Sequence, residues 1–363
     1  MDFRFAPAEV AFRHELREFL AAALPSTWLV ENDREGETDE GFAFSQQFSK
    51  QLAQRGWLTM AWPTEYGGQA ASALTQLVYN EEMAYAGAPL GFAFGPNLVG
   101  PTLMVWGTEE QKRRHLPAIA HGDVVWCQGF SEPGSGSDLA SLQTRAMLEG
   151  DDYLINGQKI WTSEGHRADW MILLARTDIE APKHRGLSYF LVDMRTPGVS
   201  IQPLTNLMNG HAFNQVFFDS VRVPRSNLVG EENRGWYVAT TTLDFERSGI
   251  NRVTWTRRLL EEVVETTRQF RETRVGAAPS HAVGPKLAEL TIELEIARLL
   301  CYRVAWLQSQ GTIPNHESSM AKLYGSEVIY RFANAALGIL GLAGQLGPES
   351  NRAAMQGRIE RAY

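Results

Sequence analysis

The chain has 363 residues, which is more than a single average core holds, so two or three domains are expected. Its apolar fraction of 44% and charged fraction of 21% are those of an ordinary globular protein. The formal net charge of −8 argues against nucleic acid or an anionic membrane as the main partner, so an anionic ligand would need a local basic patch.

Several other classes of protein are also disfavoured. The two cysteines, Cys127 and Cys301, lie far apart and fit neither a disulfide framework nor a metal site, so we interpret them as free thiols of a cytoplasmic protein. The N-terminus lacks the basic and apolar blocks of a signal peptide, and the longest apolar run, 335–344, is too short to span a membrane. The eight histidines show no ligand spacing, so no metal is predicted.

The first third of the chain is expected to be helical. Apolar residues at helical spacing predict a helix that begins at Pro7 and is stopped by Pro25. Further helices are predicted over about 42–55, 72–86 and 108–120, with Thr108 as the cap of the last one. The acidic stretch 30–40 is expected to form a loop.

From about residue 123 to 233, short strands separated by turn residues replace the helical pattern. The predicted strands include Trp170–Ala175, Leu187–Met194, Val199–Pro203 and Phe213–Val223. This spacing suggests a β-barrel or sandwich, and the lack of strand–helix alternation argues against a Rossmann fold. A strand over Tyr153–Gly157 ends in Asn-Gly, the strongest short hairpin signal, so Trp161-Thr162-Ser163 is expected on the second limb of a hairpin.

The last third returns to long helices, predicted over about 234–272, 283–310 and 315–340. These lengths suit an antiparallel bundle. The predicted fold class is therefore a multidomain α+β protein. It comprises an N-terminal helical domain (1–122), a middle β-barrel or sandwich domain (123–233) and a C-terminal antiparallel helical bundle (234–363).

The most distinctive turn is Ser131–Asp138, which reads Ser-Glu-Pro-Gly-Ser-Gly-Ser-Asp. Pro133 fixes one φ angle, and the glycines let the backbone approach a flat or anionic group closely. The serines add hydroxyls, and Trp161 offers an aromatic plane nearby. From the residues alone, a ligand-binding turn and a well-capped surface loop remain equally good interpretations.

A second candidate is Glu246, in the first helix of the predicted bundle. At about 100° per residue it shares one arc with Leu243, Ile250, Val253, Leu260 and Val264, so it is expected to face the interior. Desolvation there would raise its pKa and keep it available as a base near neutral pH. A structural ion pair with an arginine of a neighbouring helix is an equally good interpretation.

The segments SEPGSGSD, NGQKIWTS, RADW and ARTD, in this order and spacing, resemble the acyl-CoA dehydrogenase family of flavoenzymes over nearly the whole chain. The resemblance implies FAD as cofactor and an acyl-CoA as substrate in lipid metabolism, as in fatty acid β-oxidation. The implied reaction removes the proton α to the thioester and passes the β-hydrogen as hydride to flavin N5, giving the trans-2-enoyl thioester. Electrons would pass on to an electron-transferring flavoprotein.

The resemblance also assigns roles residue by residue. Most family members take the base from a C-terminal Glu-Gly-Thr segment, but a minority place a Glu directly before an Arg on the helix where Glu246 lies. Glu246 is therefore the expected base, with Asp244 and Arg247 in contact with substrate. The expected cofactor contacts are Phe130, Ser131, Gly136, Ser137, Trp161, Thr162 and Ser163, with Ser137 also facing the substrate. Gln128 stands where the family often has Tyr or Phe.

Two departures concern the half-site that one subunit lends to its neighbour's FAD. The family's Arg-x-x-Phe-Gly corresponds here to 271–276, which lacks the Phe, with Arg274 as a candidate cofactor contact. The family's Gln-x-x-Gly-Gly-x-Gly appears at 338–344 with Gly for Gln and Leu for Gly. We therefore weigh an α2β2 heterotetramer with a second dehydrogenase-like chain against a homodimer or homotetramer.

The helical segments also resemble the bacterial branch that includes steroid side-chain enzymes, which suggests a bulky or branched acyl-CoA. Two alternatives keep the fold and change the function. One is a related flavin oxidase or monooxygenase, and the other is a non-catalytic companion subunit.

Overall fold

The structure, a computed structural model, describes residues 4–25, 28, 38–89, 94–207, 209–245, 249–273 and 280–363. By internal contacts the chain forms two compact units, each with its own core. The bundle unit comprises Met1–Asp33, Ala71–Ala88 and Arg247–Tyr363. The sheet unit comprises Arg34–Ala70 and Pro89–Glu246.

The described helices are α1 (Pro7–Ala23), α2 (Asp39–Gln54), α3 (Ala73–Ala86), α4 (Gly100–Trp106), α5 (Glu109–Ala120), α6 (Gly235–Phe245), α7 (Ile250–Thr273), α8 (Ser280–Ser309), α9 (Asn315–Leu340) and α10 (Arg358–Ala362). The described strands are β1 (Trp126–Gly129), β2 (Arg145–Glu149), β3 (Asp152–Ser163), β4 (Trp170–Arg176), β5 (Leu187–Asp193), β6 (Val199–Leu204), β7 (Phe213–Pro224) and β8 (Leu228–Val229).

Side-chain caps set where several N-terminal helices begin. Ser72 accepts a hydrogen bond from the Thr75 amide at 3.0 Å and starts α3. Thr108 and Gln111 form a reciprocal capping box that starts α5, which confirms the predicted cap. Thr38 caps α2, so that helix begins at Asp39, slightly earlier than predicted. The acidic loop predicted over 30–40 lies mostly outside the described residues.

A π-helix over Gly95–Val99 leads directly into α4, and neither element was predicted. The prolines at 96 and 101 interrupt the sequence pattern typical of a helix. Pro96 lies in the first turn, where a missing N–H is tolerated. Pro101 follows a backbone that is already helical through Val99 and Gly100, so it removes one hydrogen bond inside a continuous helical stretch.

The bundle unit has its core between α3 and the long helices α7, α8 and α9. Leu77 of α3, Ile250 of α7, Leu290 of α8 and Val328 of α9 all belong to this one buried cluster. The helices predicted over 283–310 and 315–340 are confirmed as α8 and α9.

Two adjacent carboxylates of α3, Glu81 and Glu82, are buried in the same unit. Arg17 donates two hydrogen bonds to Glu82, at 2.6 and 2.9 Å, and Tyr302 donates to Glu81 at 2.7 Å. Arg13 forms ion pairs with both carboxylates. Because buried carboxylates require such partners, these residues serve the packing of α1, α3 and α8.

The single helix predicted over 234–272 is wrong, since α6 ends at Phe245 and α7 begins at Ile250. Gly249 between them is not helical, which is consistent with the poor helix propensity of glycine. The arc that placed Glu246 in phase with Ile250 and Val253 assumed one continuous helix, so that argument does not hold.

The sheet unit is built on one eight-stranded sheet in the order β6-β7-β3-β2-β4-β5-β8, with β1 pairing in parallel with β4. The four strands predicted at β4, β5, β6 and β7 are confirmed. Along β4, Ile172 and Leu174 belong to one buried cluster, whereas Met171 and Leu173 belong to another. Both faces of the sheet are therefore covered, as the alternation of side chains along a strand allows.

The hairpin predicted at Asn156-Gly157 is also wrong, because β3 runs without a turn from Asp152 to Ser163. β3 pairs with β2 on one side and with β7 on the other, and its register to β7 shifts at Gly157. Gly157 has φ of +147°, and a Cβ there would lie 2.6 Å from the hydroxyl oxygen of Thr144. The glycine thus marks a bulge and a close approach between strands.

Both cysteines are buried free thiols. Among the described helices, none is long and apolar enough to cross a membrane. The described residues also hold no group of three or more His, Cys, Asp and Glu side chains placed to bind a metal.

Candidate active site

The serine-rich turn and the end of β3 lie side by side in the sheet unit. The Ile160 amide donates to the Ser131 carbonyl at 2.9 Å, and Lys159 Nζ donates to the Phe130 carbonyl at 2.9 Å. Two groups of predicted cofactor contacts, 130–131 and 161–163, are thus brought together although they are far apart in sequence.

A buried ion pair anchors the turn to the sheet. Lys159 is fully buried, and its Nζ lies 2.8 Å from Glu132 Oε1. The same carboxylate accepts hydrogen bonds from the amides of Gln143 at 2.6 Å and Thr144 at 2.9 Å. Glu132 therefore ties together the turn, β3 and the segment that enters β2.

Glu132 is held in its ionised form. Burial alone would raise the pKa of its carboxyl, but the charge of Lys159 and the hydrogen bonds from Lys159, Thr144 and Gln143 outweigh burial and lower it. The sequence patterns did not predict the ion pair between Glu132 and Lys159. The signal that could have indicated it is a lysine on the inward face of β3, the face shared by Tyr153 and Ile155.

The tip of the turn faces open space. Ser135 is buried and donates to the Asp138 carbonyl at 2.8 Å, which holds the turn in shape. Gly134, Gly136 and Ser137 are exposed. A Cβ built on Gly134 or Gly136 would meet no described atom within 4 Å. The turn therefore leaves room for a bound group beside its backbone.

The end of β3 turns an aromatic ring outward. Trp161 is 60% exposed and has a φ of +62°, which is an outlier for a bulky residue. Thr162 is fully buried, and its hydroxyl oxygen has no hydrogen-bond partner among the described residues. Ser163 is partly buried. The exposed indole is therefore available to a flat ligand, whereas the Thr162 side chain lies beneath the surface.

The predicted base, two predicted substrate contacts and one predicted cofactor contact fall wholly or partly outside the described residues. Glu246, Arg247 and Arg274 lie outside the described residues, and the side chain of Asp244 is also not described. Their roles stay predictions. The backbone of α6 is described as far as Phe245, directly before Glu246.

A buried hydroxyl network connects α6 to the turn. The hydroxyl oxygens of Tyr189 and Thr242 are 3.2 Å apart, and those of Thr242 and Thr102 are 2.9 Å apart. The ring of Tyr189 packs edge-on against Phe130, with centroids 5.9 Å apart. The helix that precedes Glu246 is thereby packed, through Tyr189, on a predicted cofactor contact.

β1, the strand that leads into the turn, begins in an aromatic cluster. Trp126 stacks on Trp170 with ring centroids 5.8 Å apart, and the buried His115 packs edge-on against both rings, at 5.3 and 4.8 Å. Burial, and then the nearby Arg114, lower the pKa of His115 to about 4. His115 is therefore neutral near pH 7.

We predict that His115→Phe makes the protein less sensitive to acid. An unfolded histidine titrates near pH 6.5, so as pH falls from about 6.5 to about 4 protonation favours the unfolded chain, by up to about 3 kcal/mol for His115. The Tm of His115→Phe should therefore fall less steeply over this range than that of the wild type. Burial also lowers the pKa of His166 to about 4, so the slope should be reduced but not abolished.

The control is His121→Phe, since His121 is exposed on the same unit. Its Tm should follow the wild-type pH profile. Parallel profiles for the wild type and His115→Phe would contradict the prediction.

Comparison with known proteins identifies the family. Three successive stretches match acyl-CoA dehydrogenase models: the N-terminal domain at residues 6–123, the middle domain at 127–221 and the C-terminal domain at 233–363. The chain belongs to the acyl-CoA dehydrogenase family. The predicted family, fold class and enzyme class are thus confirmed.

Individual relatives of this acyl-CoA dehydrogenase cover its whole length. Acyl-CoA dehydrogenase FadE26 of Mycobacterium tuberculosis is 37% identical over 100% of this chain and 92% of its own length. The solved Tcur3481-Tcur3483 steroid ACAD has a TM-score of 0.88 and 38% identity, covering 99% of this chain and 92% of that one. The ChsE4-ChsE5 complex from Mycobacterium tuberculosis has a TM-score of 0.84 and 34% identity, covering 100% and 92%.

Proposed function

We propose that this acyl-CoA dehydrogenase binds FAD against the serine-rich turn and the end of β3, and oxidises the Cα–Cβ bond of an acyl-CoA to the trans-2-enoyl thioester. The observation that carries the proposal is the meeting of Ser131 with Ile160 beside the outward-facing Trp161. It joins the two segments that resemble the family's flavin contacts, on a strand end that is anchored by a buried ion pair.

The described residues fit a flavin. Trp161 exposes its ring at the end of β3, and the backbone of Gly136 faces open space that a bound group can fill. The residues that would hold the cofactor are Phe130, Ser131, Gly136, Ser137, Trp161, Thr162 and Ser163. When bound, FAD would supply the acceptor, at N5, for the hydride that leaves the β-carbon.

The protein must then remove the α-proton. A thioester α-proton is too weakly acidic for a carboxylate unless hydrogen bonds stabilise the charge that develops on the carbonyl oxygen. We propose that Glu246 takes this proton and that Asp244 and Arg247 position the substrate. The pair of electrons left by the α-proton then forms the double bond as the β-hydride departs. The packing of α6 through Thr242 and Tyr189 supports a fixed approach of the helix that precedes Glu246.

The relatives favour a bulky substrate over a simple fatty acid. The Tcur3481-Tcur3483 protein is described as a steroid ACAD, so we propose a CoA thioester of a steroid side chain or of similar size as the substrate. Electrons would leave through an electron-transferring flavoprotein. The oxidase, monooxygenase and companion-subunit alternatives are not favoured, because the full-length relatives are named acyl-CoA dehydrogenases.

We also propose an α2β2 heterotetramer. Two of the similar structures are named as pairs of different chains, ChsE4-ChsE5 and Tcur3481-Tcur3483. In this chain Leu342 replaces a glycine of the family's loop, and its side chain is 82% exposed. A bulky apolar side chain at this position supports a neighbour other than a second copy.

The test is anaerobic reduction of the FAD-loaded protein by a panel of CoA thioesters of straight-chain, branched and steroid side-chain acids. We expect the steroid side-chain thioester to bleach the flavin fastest, with slow reoxidation by oxygen and fast reoxidation by an electron-transferring flavoprotein. Absence of bleaching with every thioester, or rapid turnover with oxygen, would contradict the proposed function. One FAD per chain in a homotetramer would contradict the heterotetramer alone.

A further inference from the structure

A bulge in β3 turns Trp161 outward, and the residues assigned to cofactor binding do not explain what holds this bulge in place. Between Lys159 and Thr162, β3 advances by three residues while β7 advances by two, from Val216 to Asn214. Trp161 occupies the left-handed region of backbone conformation, with a φ of +62°. A bulky residue keeps such a conformation only where its neighbours impose it.

One side chain bonds the backbone directly after the bulge. Asn214 is fully buried, and its Nδ2 donates to the Thr162 carbonyl at 3.1 Å. Asn214 is also the residue of β7 that pairs with Thr162 in the register. The backbone and the side chain of Asn214 therefore both hold the residue that follows Trp161.

Two histidines fix the orientation of this amide. His211 Nε2 lies 2.8 Å from Asn214 Oδ1, and His166 Nδ1 lies 3.1 Å from Asn214 Nδ2. Because the Thr162 carbonyl can only accept, Nδ2 must face it. It follows that His211 donates through Nε2 and that His166 accepts through Nδ1. The two imidazole rings stack with centroids 4.1 Å apart, which keeps both in place.

The packing around this bond is close. A Cβ built on Gly165 would lie 3.0 Å from Thr162 Cγ2 and 3.5 Å from Asn214 Cβ. Next to the bulge, Phe213 packs edge-on against the Trp161 ring, with centroids 6.1 Å apart. The strand end thus has little freedom to move while the Asn214 amide is in place.

We propose that Asn214, oriented by His211 and His166, is a positioning residue that holds the bulge and so fixes where Trp161, Thr162 and Ser163 meet the cofactor. This inference rests on the proposed function insofar as it takes that strand end as the flavin-binding wall. The holding of the bulge itself does not depend on any ligand.

The test uses Asn214→Asp in the full chain, compared with Gln215→Glu. Asn214→Asp keeps the shape of the side chain but places an oxygen against the Thr162 carbonyl. Gln215→Glu makes the same chemical change one residue along β7, where the amide donates to a side chain, Gln158 Oε1, at 2.8 Å. Amide hydrogen exchange of residues 160–164 is measured on the protein without FAD.

We expect exchange of these amides to be about tenfold faster in Asn214→Asp, because this variant loses one buried hydrogen bond to the backbone at the bulge. Exchange should be unchanged in Gln215→Glu, because its amide bonds a side chain. Unchanged exchange in Asn214→Asp would overturn the proposal. If that variant fails to fold, His211→Phe removes only the N–H that orients the amide. Exchange of the same amides should then increase by a smaller factor, and no increase would overturn the proposal.

The second readout is the affinity for FAD and the visible absorption spectrum of the bound flavin. Asn214→Asp should weaken FAD binding by about tenfold and shift the flavin bands, whereas Gln215→Glu should do neither. Faster exchange with unchanged affinity and spectrum would overturn the positioning role. If the wild type binds no FAD, the proposed function fails, but the exchange measurement still decides whether Asn214 holds the bulge.

Discussion

Glu246→Gln is expected to leave FAD bound and to slow the reduction of flavin by acyl-CoA by roughly 10²- to 10⁴-fold. Glutamine has nearly the same size as glutamate, but its amide cannot take up the α-proton. Flavin binding should be unaffected because the proposed cofactor contacts lie on the serine-rich turn and β3. The measurement is stopped-flow bleaching under anaerobic conditions with the best thioester, alongside the FAD content of the purified variant.

Glu231→Gln is the matched control, since Glu231 is exposed in the loop that precedes α6. It should bleach at the wild-type rate. Unchanged bleaching in Glu246→Gln would remove this residue from the mechanism and direct attention to a carboxylate elsewhere. Loss of FAD together with activity would instead show that the side chain supports the cofactor site.

Glu132→Gln is expected to have the largest effect on stability. The variant removes the counter-ion of Lys159, whose pKa burial already lowers to about 8, so the buried ammonium must stay unpaired or lose its proton. It also places an amide NH2 among donors that the carboxylate accepted from, including the Gln143 amide. Removing one partner of a buried ion pair costs about 3–5 kcal/mol. For a unit of this size, that corresponds to a fall in apparent Tm of roughly 6–20 °C. Because the turn loses its anchor, FAD binding should weaken as well.

The control is Glu149→Gln, which removes a carboxylate from a surface ion pair with Arg222 in the same sheet. That change should cost no more than about 1 kcal/mol. The pKa of Glu132 is lowered in the folded protein, so its contribution is complete above the unfolded value of about 4.3 and is lost as pH falls through the folded value. The Tm difference between wild type and Glu132→Gln should therefore shrink in acid. Similar losses in the two variants at neutral pH would contradict this role.

Local patterns were sufficient to predict most of the secondary structure. Short strand-like runs separated by turn residues located β4 to β7, and helical spacing with a capping Thr108 located α5, because these signals depend on near neighbours in sequence. The hairpin predicted at Asn156-Gly157 was wrong because the glycine serves a contact that is distant in sequence. The glycine is required by a close contact with Thr144, directly before the neighbouring strand β2, and a local turn signal cannot report such a contact.

The same distinction applies to the residues of the candidate site: those within contiguous motifs could be predicted, and those that meet only in the folded chain could not. Ser131 and Trp161 could be named from family resemblance, because they lie in contiguous motifs. Glu132 and Lys159 form their pair only because β3 lies beside the turn, and Asn214 reaches Thr162 only because β7 pairs with β3. The break at Gly249 also removed the periodicity argument for Glu246, which now depends on the resemblance alone.

Because Gly134 and Gly136 face open space, substitutions there can change the affinity for the cofactor without changing the stability of the protein. Neither glycine has a positive φ, and neither would bring an added methyl group against a described atom, so alanine at these positions should leave the thermal stability of the apoprotein unchanged. Any loss of cofactor affinity in such variants would then report a direct contact between the substituted position and the cofactor. Substitutions at these two positions should therefore lower the occupancy of the cofactor site in steps, while the stability of the apoprotein stays the same.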